Sequence, residues 1–267
     1  MNGIKVIRYP GSKYRFLDFL LPYLPVKEDI SGNFVEPFVG GGAVFFALSP
    51  RKAILSDINS VLIDLYRGLK RNPLQVWQIY KNFPSTKTAY YKIRNAEKKG
   101  DLYYKAAKTL FLNRTCFKGM WRQNSSGQFN VGYGGQDRRW VITKASLVEV
   151  SKVLKKAKLR AVDFEETISE CKTGDFLFLD PPYKPGSKEL NLSHYVFAKF
   201  THNDHKRLSN ALKKATQRNI RWAMTISSHT DVLCLFKKNR IIPFVRGTGT
   251  KPGIMDNKIG EVLVCNY

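Results

Sequence analysis

The chain has 267 residues, of which 43% are hydrophobic, so it holds enough apolar material for one folded domain with a subdomain. This composition excludes a disordered tail. Lysine and arginine number 45 against 21 aspartate and glutamate residues, and the net charge of +24 favours a polyanionic partner, nucleic acid first.

Cysteine spacing and hydrophobicity exclude further classes of protein. No two of the four cysteines form a CxxC pair, and the four histidines are scattered, so neither a metal site nor a disulfide framework is expected. The start of the chain lacks the apolar core of a signal peptide, and no run approaches the roughly 20 apolar residues of a membrane helix. We therefore expect a cytoplasmic protein with no membrane partner.

Strands and helices alternate along most of the chain. The spacing of apolar residues predicts, in order, a strand over 33–38, a glycine turn over 40–42, a short helix over 43–49, a strand over 52–57, two helices within 58–81, a helix over 101–115, a helix over 144–158, strands over 159–163 and 175–180, a helix over 202–218, a strand over 220–227 and a last strand over 260–267. Proline at position 73 is expected to separate the two helices within 58–81. This alternation predicts an α/β fold with a mainly parallel sheet.

The predicted sheet is interrupted by a basic, helical insertion. Residues 118–140 are rich in glycine, asparagine, serine and aromatic residues, and the sequence Asn-Ser-Ser-Gly at 124–127 is typical of a turn between two extended segments. A hairpin or an exposed loop is therefore predicted, with the hairpin over about residues 116–135.

Two predicted strands end in residues that suit a nucleotide site. The glycine turn at 40–42 follows the first strand and lets a ligand approach the backbone closely. Phe45 occupies the third glycine position of a dinucleotide motif, which disfavours a hydride-transfer enzyme. Asp57 ends the second strand, where a carboxylate can bind a ribose diol, although a tight turn and a capping aspartate would also explain the pattern.

The strand over 175–180 ends in the sequence Asp180-Pro181-Pro182-Tyr183. The prolines remove backbone donors and fix the path of the chain beyond the sheet. An ordinary turn would account for this tetrapeptide alone. In a doubly wound sheet, however, the carboxyl ends of neighbouring strands face one crevice, so Asp180 is expected to lie near the glycine turn and Asp57.

Several motifs in one order carry a family resemblance. They are Tyr9-Pro-Gly-Ser-Lys13, Glu36-Pro-Phe-Val-Gly-Gly-Gly42, Ser56-Asp-Ile-Asn59, Leu112-Asn-Arg114, Gly127-Gln-Phe-Asn-Val131, Asp180-Pro-Pro-Tyr183 and Glu261-Val-Leu-Val264. With these motifs the chain resembles the Dam-type family (D12 class, alpha group) of S-adenosylmethionine-dependent DNA adenine-N6 methyltransferases. The resemblance implies a Rossmann-like methyltransferase sheet with one antiparallel edge strand. It also implies a catalytic domain over 1–70 and 142–267 and a target-recognition subdomain over 71–141.

The resemblance implies roles for the tetrapeptide. The Asp180 carboxylate and the Pro181 carbonyl would accept the two amino hydrogens of adenine, Pro182 would help to fix these acceptors, and Tyr183 would stack on the flipped base. No metal ion or covalent enzyme intermediate is required. By the same resemblance the cofactor S-adenosylmethionine would be bound by Tyr9, Gly11, Lys13, Glu36, Phe38, Gly40, Gly42, Asp57, Asp163, Phe164 and Asp180. Among these, Lys13 would pair with the methionine carboxylate, and Asp163 with Phe164 would hold the adenine unless they form an ordinary strand end.

Double-stranded DNA is the implied partner. The residues expected to contact it are Arg114, Lys118, Met120, Arg122, Asn130, Arg138 and Arg139. Arg122 matches a base-reading arginine, although a phosphate contact alone would also suit it. Relatives that read GATC commonly have proline in place of Gly132 and asparagine in place of Lys118, so the target sequence is left open. Relatives also commonly have Trp-x-Gly-Gly-Lys where this chain has the motif at 9–13.

Alternative functions follow from the same residues. Cytosine-N4 methylation uses the same amino-group chemistry, with serine more common than aspartate at position 180, and a catalytically silent DNA-binding relative is a further alternative. Cytosine-C5 methylation is excluded because no cysteine follows a proline. A monomer with nucleoid association, of prokaryotic or phage type, is expected, with a cognate restriction endonuclease as a candidate partner. The segment over 184–199 is predicted to order when DNA binds.

Overall fold

The computed structural model describes residues 5–96, 100–124, 127–135, 142–183, 200–244 and 260–267. Its strands are β1 Phe34–Glu36, β2 Ala53–Ser56, β3 Ala157–Arg160, β4 Phe176–Leu179, β5 Arg221–Ser227, β6 Arg240–Pro243 and β7 Glu261–Cys265. Its α-helices are α1 Leu17–Leu20, α2 Ala43–Leu48, α3 Ser60–Arg71, α4 Pro73–Asn82, α5 Lys87–Asn95, α6 Leu102–Thr115, α7 Lys144–Leu154, α8 Phe164–Ser169, α9 His202–Gln217 and α10 Thr230–Leu233.

The strands form one seven-stranded sheet in the order β3-β2-β1-β4-β5-β7-β6. The first five strands in this order run parallel, whereas β7 is antiparallel to both β5 and β6. The predicted α/β class with a mainly parallel sheet and an antiparallel edge is therefore confirmed. The outermost strand β6 was not predicted, because its four residues are too few to show the alternating apolar pattern of a strand and are mostly exposed.

Alternating side chains along the central strands fill the core on both faces of the sheet. In β4, Phe176 and Phe178 belong to one apolar cluster and Leu177 and Leu179 to another. Successive side chains of a strand point to opposite faces, and a parallel strand covered on both faces reads as a continuous apolar run. Residues of α3, α6 and α7 belong to the first cluster, and residues of α8 and α9 belong to the second.

The helix boundaries follow from capping residues. Asn72 caps α4 through the amide of Gln75, with Pro73 at the first helical position, so the predicted break between the two helices is confirmed. Thr201 and Asp204 form a capping box at the start of α9. In contrast to the predicted strand over 159–163, β3 ends at Arg160, because Asp163 caps the short helix α8.

The strand order places a crevice at the carboxyl ends of β1, β2 and β4. From β1 the sheet grows through β2 to β3 on one side and through β4 to β5 on the other. Ligands of open α/β sheets bind where the order reverses in this way. Glu36 ends β1, while Asp57 and Asp180 follow directly after β2 and β4.

The segment inserted between β2 and β3 packs on this sheet domain through helices. Helix α6 lies against α3, and α4 lies against both α6 and α7. The residues after α6 run antiparallel to each other, with bridges between Cys116 and Tyr133 and between Gln123 and Phe129. The division into a catalytic domain and a recognition subdomain stays a prediction. Within the described ranges, none of the helices has the length and hydropathy needed to cross a membrane.

Candidate active site

The glycine turn lies between β1 and α2 and has a left-handed backbone. Gly40 has φ 43° and Gly42 has φ 64°, values that an L side chain rarely adopts. A Cβ atom on Gly40 would lie 3.0 Å from the ring atoms Cδ1 and Cε1 of Tyr9, so the turn passes closely under this ring. The Tyr66 hydroxyl donates to the Gly40 carbonyl at 2.7 Å and fixes the turn from the core side.

Asp57 joins the end of β2 to the glycine turn. Its Oδ2 accepts a hydrogen bond from the Gly40 amide at 3.1 Å, and its Oδ1 accepts one from the Asn59 amide at 2.9 Å. Burial raises the pKa of Asp57 to about 6, although these two amide bonds favour the ionised form. The next residue, Ile58, is 54% exposed, which is unusual for a large apolar side chain beside a buried strand.

Glu36 is buried at the end of β1, and none of the described lysine or arginine residues forms an ion pair with it. It is 2% exposed, and its Oε2 has no hydrogen-bond partner among the described residues. Burial raises the pKa of Glu36 well above its usual value, and the negative charge of Asp180 adds to the shift. A buried polar atom without a protein partner is uncommon, and this one lies at the strand end beside Asp57 and Asp180.

Asp180 is held through one carboxylate oxygen. Lys13 Nζ lies 2.8 Å from Asp180 Oδ1, and the Thr225 hydroxyl lies 2.7 Å from the same oxygen. The Tyr183 hydroxyl is 3.5 Å from Oδ1 as well. No donor from the described part of the chain contacts Oδ2, so this oxygen is left to accept hydrogen bonds from a ligand.

Lys13 is only 2% exposed and lies among acceptors of this chain. Besides Asp180, its ammonium donates to the Gly11 carbonyl at 2.8 Å and lies 3.7 Å from Glu261 Oε2. It is also 4.8 Å from the ring centre of Tyr183. Lys13 thus forms an ion pair with Asp180, because the N-terminal segment brings it to the end of β4. Its pairing with the cofactor's carboxylate stays a prediction.

The rest of the tetrapeptide lies directly beyond Asp180. Pro181 is buried, whereas Pro182 and Tyr183 are half-buried. Burial raises the pKa of Tyr183 well above its usual value, and the negative charge of Asp180 adds a smaller shift in the same direction. The predicted mobile segment over 184–199 lies outside the described residues.

Asp163 and Phe164 begin α8 beside the crevice. Asp163 Oδ1 accepts from the Glu165 amide at 2.9 Å and from Arg207 at 2.9 Å. Phe164 is 5% exposed and stacks on Phe38 with ring centres 5.2 Å apart. These contacts bring Phe38 and Phe164 together and leave little of the Phe164 ring open. Their part in a cofactor site stays a prediction.

Arg114 differs from its predicted role as a DNA contact. It is 2% exposed, and its guanidinium donates to the carbonyls of Lys5, at 2.8 Å, and Val6. Because the guanidinium is buried in contacts with the backbone, it joins the N-terminal segment to α6 and is not available to a phosphate.

Four of the other predicted DNA contacts lie in the antiparallel segment after α6, namely Lys118, Met120, Arg122 and Asn130. Arg122 Nε donates to Asn130 Oδ1 at 2.9 Å, so these two residues are paired with each other across the segment. Lys118 is exposed with φ 55°, and Met120 is half-buried. Arg138 and Arg139 lie outside the described residues.

Four residues of the site region were not predicted. Glu261 and Thr225 contact the Lys13–Asp180 pair, Ile58 is exposed beside Asp57, and Phe117 is 50% exposed next to Lys118, whose ammonium lies 5.2 Å from its ring centre. For Ile58 a signal existed, since an apolar residue between two polar ones follows the strand end. For Thr225 none existed, because it lies within an apolar strand and its partner is far away in sequence. Glu261 belongs to the motif at 261–264, but that motif does not indicate its contact with Lys13.

Known proteins are similar to this chain in sequence along nearly its whole length. The family model for D12 class N6 adenine-specific DNA methyltransferases matches residues 9–245. The chain is 32% identical to the Type II methyltransferase M1.LlaDCHI of Lactococcus lactis subsp. cremoris, over 97% of this chain and 94% of that protein. It is 31% identical to the Type II methyltransferase M.MjaIII of Methanocaldococcus jannaschii, over 98% of both chains, and 30% identical to the DNA adenine methylase of Escherichia coli strain K12, over 85% of this chain and 81% of that protein. The predicted resemblance is confirmed, and the chain belongs to the D12 class of N6 adenine-specific DNA methyltransferases.

Proposed function

We propose that this adenine-specific DNA methyltransferase uses S-adenosylmethionine as its methyl donor and acts on an adenine flipped out of a short duplex site. The observation that carries the proposal is the carboxylate of Asp180, with Oδ1 held by Lys13 and Thr225 and no described donor on Oδ2. An amino group needs such an acceptor, because the N6 lone pair of adenine is delocalised into the ring until its hydrogens are bound.

The residues of the crevice fit a positively charged cofactor. Carboxyl groups from Glu36, Asp57, Asp180 and Glu261 converge there, with Lys13 as the cation that contacts two of them. When bound, S-adenosylmethionine supplies a methyl group on a positively charged sulfur. The unpartnered Oε2 of Glu36 suits that charge.

Each part of the cofactor has candidate partners on this chain. Asp57 would accept the ribose hydroxyls, in addition to its two amide bonds. The exposed side chain of Ile58 and the rings of Phe38 and Phe164 would pack against the adenine. Asp163 would keep its Oδ2 for the adenine amino group, since Oδ1 is used by Glu165 and Arg207.

The tetrapeptide would then position the amino group for the transfer. N6 would bond to the methyl group as the bond between methyl and sulfur breaks, and one N6 proton would leave along its hydrogen bond to Asp180. Asp180 Oδ2 and the Pro181 carbonyl would accept the two N6 hydrogens, so that the nitrogen lone pair points at the methyl group. Tyr183 would stack on the base, which repays part of the few kcal/mol that unstacking from the duplex costs. Pro181 and Pro182 hold the acceptors because their φ angles are fixed.

Analysis of the methylated nucleoside tests this function. The protein is incubated with mixed-sequence duplex DNA and S-adenosylmethionine labelled in the methyl group, and the DNA is digested to nucleosides. Label is expected in N6-methyladenine. Label in N4-methylcytosine alone would support the alternative cytosine chemistry, and absence of label would favour a catalytically silent DNA-binding protein.

Asp57→Asn is expected to weaken S-adenosylmethionine binding by about 10- to 100-fold, because a hydrogen bond to a charged group contributes about 1.5–3 kcal/mol. In the unmodified protein, affinity should fall as pH decreases through the Asp57 pKa of about 6, since protonation removes an acceptor. Calorimetric titration at about pH 5 and about pH 8 measures both effects. Asp57→Asn should flatten this pH dependence, although Glu36 and Glu261 titrate as well.

Asp64→Asn provides the control for this titration. Asp64 lies seven positions further along, on α3, and pairs with Arg67 at 3.2 Å away from the glycine turn. The substitution Asp64→Asn should leave cofactor affinity unchanged at both pH values. Equal affinity in Asp57→Asn and Asp64→Asn would remove Asp57 from the cofactor site.

The segment after α6 is the proposed site of DNA contact. An exposed aromatic ring beside an exposed lysine, as at Phe117 and Lys118, is typical of surfaces that stack on bases and pair with phosphates. Arg122 lies on the same segment and is held by Asn130. A planar guanidinium held in this way suits the O6 and N7 atoms of guanine.

Replacing Arg122 by alanine is expected to relax sequence choice at one base position, at a cost of about 1–3 kcal/mol for the preferred base. Sequencing of methylated products from a randomised duplex library measures the change. Lys118→Ala is the comparison, because a phosphate contact should weaken methylation of all sequences alike. A uniform loss in Arg122→Ala would make Arg122 a phosphate contact too.

We also propose that the protein is of prokaryotic or phage type and acts as a monomer on nucleoid DNA in the cytoplasm. The net positive charge suits a DNA partner, and the relatives come from bacteria and an archaeon. A cognate restriction endonuclease is a candidate partner, since some relatives are named Type II methyltransferases.

A further inference from the structure

Thr225 lies in the middle of β5, next to the strand that ends at Asp180. It is fully buried, and its backbone pairs with Leu263 of β7. Its Oγ1 lies 2.7 Å from Asp180 Oδ1 and 3.4 Å from the Leu179 carbonyl. The Tyr183 hydroxyl is also within hydrogen-bonding reach of Thr225. A hydroxyl has one hydrogen to donate, and the charged carboxylate at 2.7 Å is the acceptor that forms the stronger bond. Thr225 therefore donates to Asp180.

Thr225 and Lys13 reach the same oxygen of Asp180 from different parts of the fold. Thr225 approaches from the sheet, whereas Lys13 approaches from the N-terminal segment, 2.8 Å from Oδ1. A carboxylate can rotate about its Cβ–Cγ bond, which broadens the positions of both oxygens. Two donors on Oδ1 oppose this rotation and leave Oδ2 as the oxygen without a described protein donor.

Thr225 restrains this rotation better than Lys13. The Lys13 ammonium is shared among Asp180, the Gly11 carbonyl and Glu261, at the end of a long flexible side chain. The Thr225 side chain is β-branched, has a single restricted χ1 angle and lies within a buried strand. Its hydroxyl therefore has a fixed position relative to the end of β4.

We propose that Thr225 is a positioning residue for methyl transfer, which holds Oδ1 of Asp180 so that Oδ2 is presented to the amino group of adenine. This inference rests on the role proposed for Asp180. It assigns the two carboxylate oxygens different tasks, one structural and one in contact with substrate. Loss of the Thr225 hydroxyl should then slow the chemical step and leave binding of cofactor and DNA unchanged.

The test compares Thr225→Val with Thr225→Ser. Valine keeps the shape but has no hydroxyl, and we expect the single-turnover rate with saturating cofactor and DNA to fall about 10- to 100-fold, as for a misplaced catalytic group. Dissociation constants for S-adenosylmethionine and DNA, measured by calorimetry and fluorescence anisotropy, should stay within about threefold, well under one tenfold step. Serine keeps the donor and should restore most of the rate.

Thr167→Val is the matched control. The Thr167 hydroxyl is also buried and bonded at 2.7 Å, to Ser56 Oγ on β2, so the same substitution removes a buried hydrogen bond away from Asp180. The thermal stability of Thr167→Val should fall as in Thr225→Val, but its single-turnover rate should stay unchanged. If Thr225→Val does not fold, Thr225→Cys replaces it, because a thiol is a weak donor of similar size.

Distinct outcomes overturn the inference and the role of Asp180. A normal rate in Thr225→Val or Thr225→Cys, with Asp180→Ala inactive, overturns the inference and leaves Asp180 in place. A rate in Thr225→Ser as low as in Thr225→Val also overturns it, because packing of the methyl group would then be the cause. A normal rate in Asp180→Ala would instead overturn the proposed function of Asp180.

Discussion

Replacing Asp180 by alanine is expected to lower the single-turnover methylation rate by about 1000-fold, the scale on which a catalytic acceptor contributes. In the proposed mechanism the carboxylate accepts one amino hydrogen of adenine, and no other described acidic side chain shares its position at the end of β4. S-adenosylmethionine and DNA should still bind, because the glycine turn, Asp57 and the segment after α6 are unchanged. A rapid-quench assay with labelled cofactor measures the rate, and titrations measure the binding.

Asp175→Ala is the matched control for this variant. Asp175 directly precedes β4, at the end of the strand remote from the crevice, and its carboxylate accepts from the Asn33 amide at 2.6 Å and the Lys172 amide at 2.9 Å. Its loss should reduce stability without reducing the rate. A normal rate in Asp180→Ala, or an equal loss in both variants, would contradict the assignment of Asp180 to the chemical step.

The fold could be predicted because its determinants are local in sequence. The continuous apolar run of β4 and the capping residues Asn72 and Thr201 each specify an element without reference to distant parts of the chain. The strand β6 could not be predicted, because it is stabilised by pairing with β7 and has no apolar period of its own. The position of α8 was missed since Asp163 suits both a strand end and a helix cap.

The site could be predicted as a set of strand ends, but not as a set of contacts. The direction of the parallel strands alone places Glu36, Asp57 and Asp180 at one edge of the sheet, independently of the contacts that their side chains make. The partner of Lys13 depends on the path of the N-terminal segment, and that of Thr225 depends on the strand order. Arg114 was misjudged for the same reason, since its acceptors are carbonyls more than a hundred positions away.

The segment after α6 was predicted in outline but not in its side-chain contacts. Its turn chemistry indicated two antiparallel segments, and the bridges at Cys116 and Gln123 agree with that pattern. The pairing of Arg122 with Asn130 depends on the register between the segments, which composition does not specify. Two residues predicted as separate DNA contacts therefore form one unit, in which Asn130 orients the guanidinium.

Replacing Lys13 by methionine is expected to lower the free energy of unfolding by about 3 kcal/mol near neutral pH, because it leaves buried carboxylates without their cation. Lys13 is 2% exposed, and its partners Asp180 and Glu261 are 20% and 7% exposed. Methionine has a similar length and fills the space. Urea denaturation without cofactor measures the change, and the single-turnover rate should fall as well, because Asp180 Oδ1 loses one of its donors.

The stability loss in Lys13→Met should shrink as pH decreases. Burial already raises the pKa of Glu261, and Lys13 opposes this shift, so removing the lysine raises the pKa further. An acid whose pKa is higher in the folded state destabilises the protein as pH rises through that value and costs nothing below its unfolded pKa. The difference between the unmodified and variant proteins should therefore be larger at about pH 8 than at about pH 5.

Lys152→Met is the control, because it removes a lysine from a surface ion pair and not from a buried one. Lys152 Nζ lies 2.7 Å from Glu149 Oε1 on α7, with both side chains more than half exposed, and such surface pairs contribute about 0–1 kcal/mol. Its stability should change little at either pH. Equal stability of the two variants would contradict a buried ion pair at Lys13.

The same variants decide between the two roles of Lys13. If its main partner were the carboxylate of the cofactor, Lys13→Met would weaken S-adenosylmethionine binding and leave the cofactor-free protein as stable as before. If its partners are Asp180 and Glu261, the cofactor-free protein itself is destabilised, and cofactor binding recovers part of the loss because the cofactor brings a positive charge to the same carboxylates. We expect the second result, since the ammonium lies against Asp180 at 2.8 Å and is buried there.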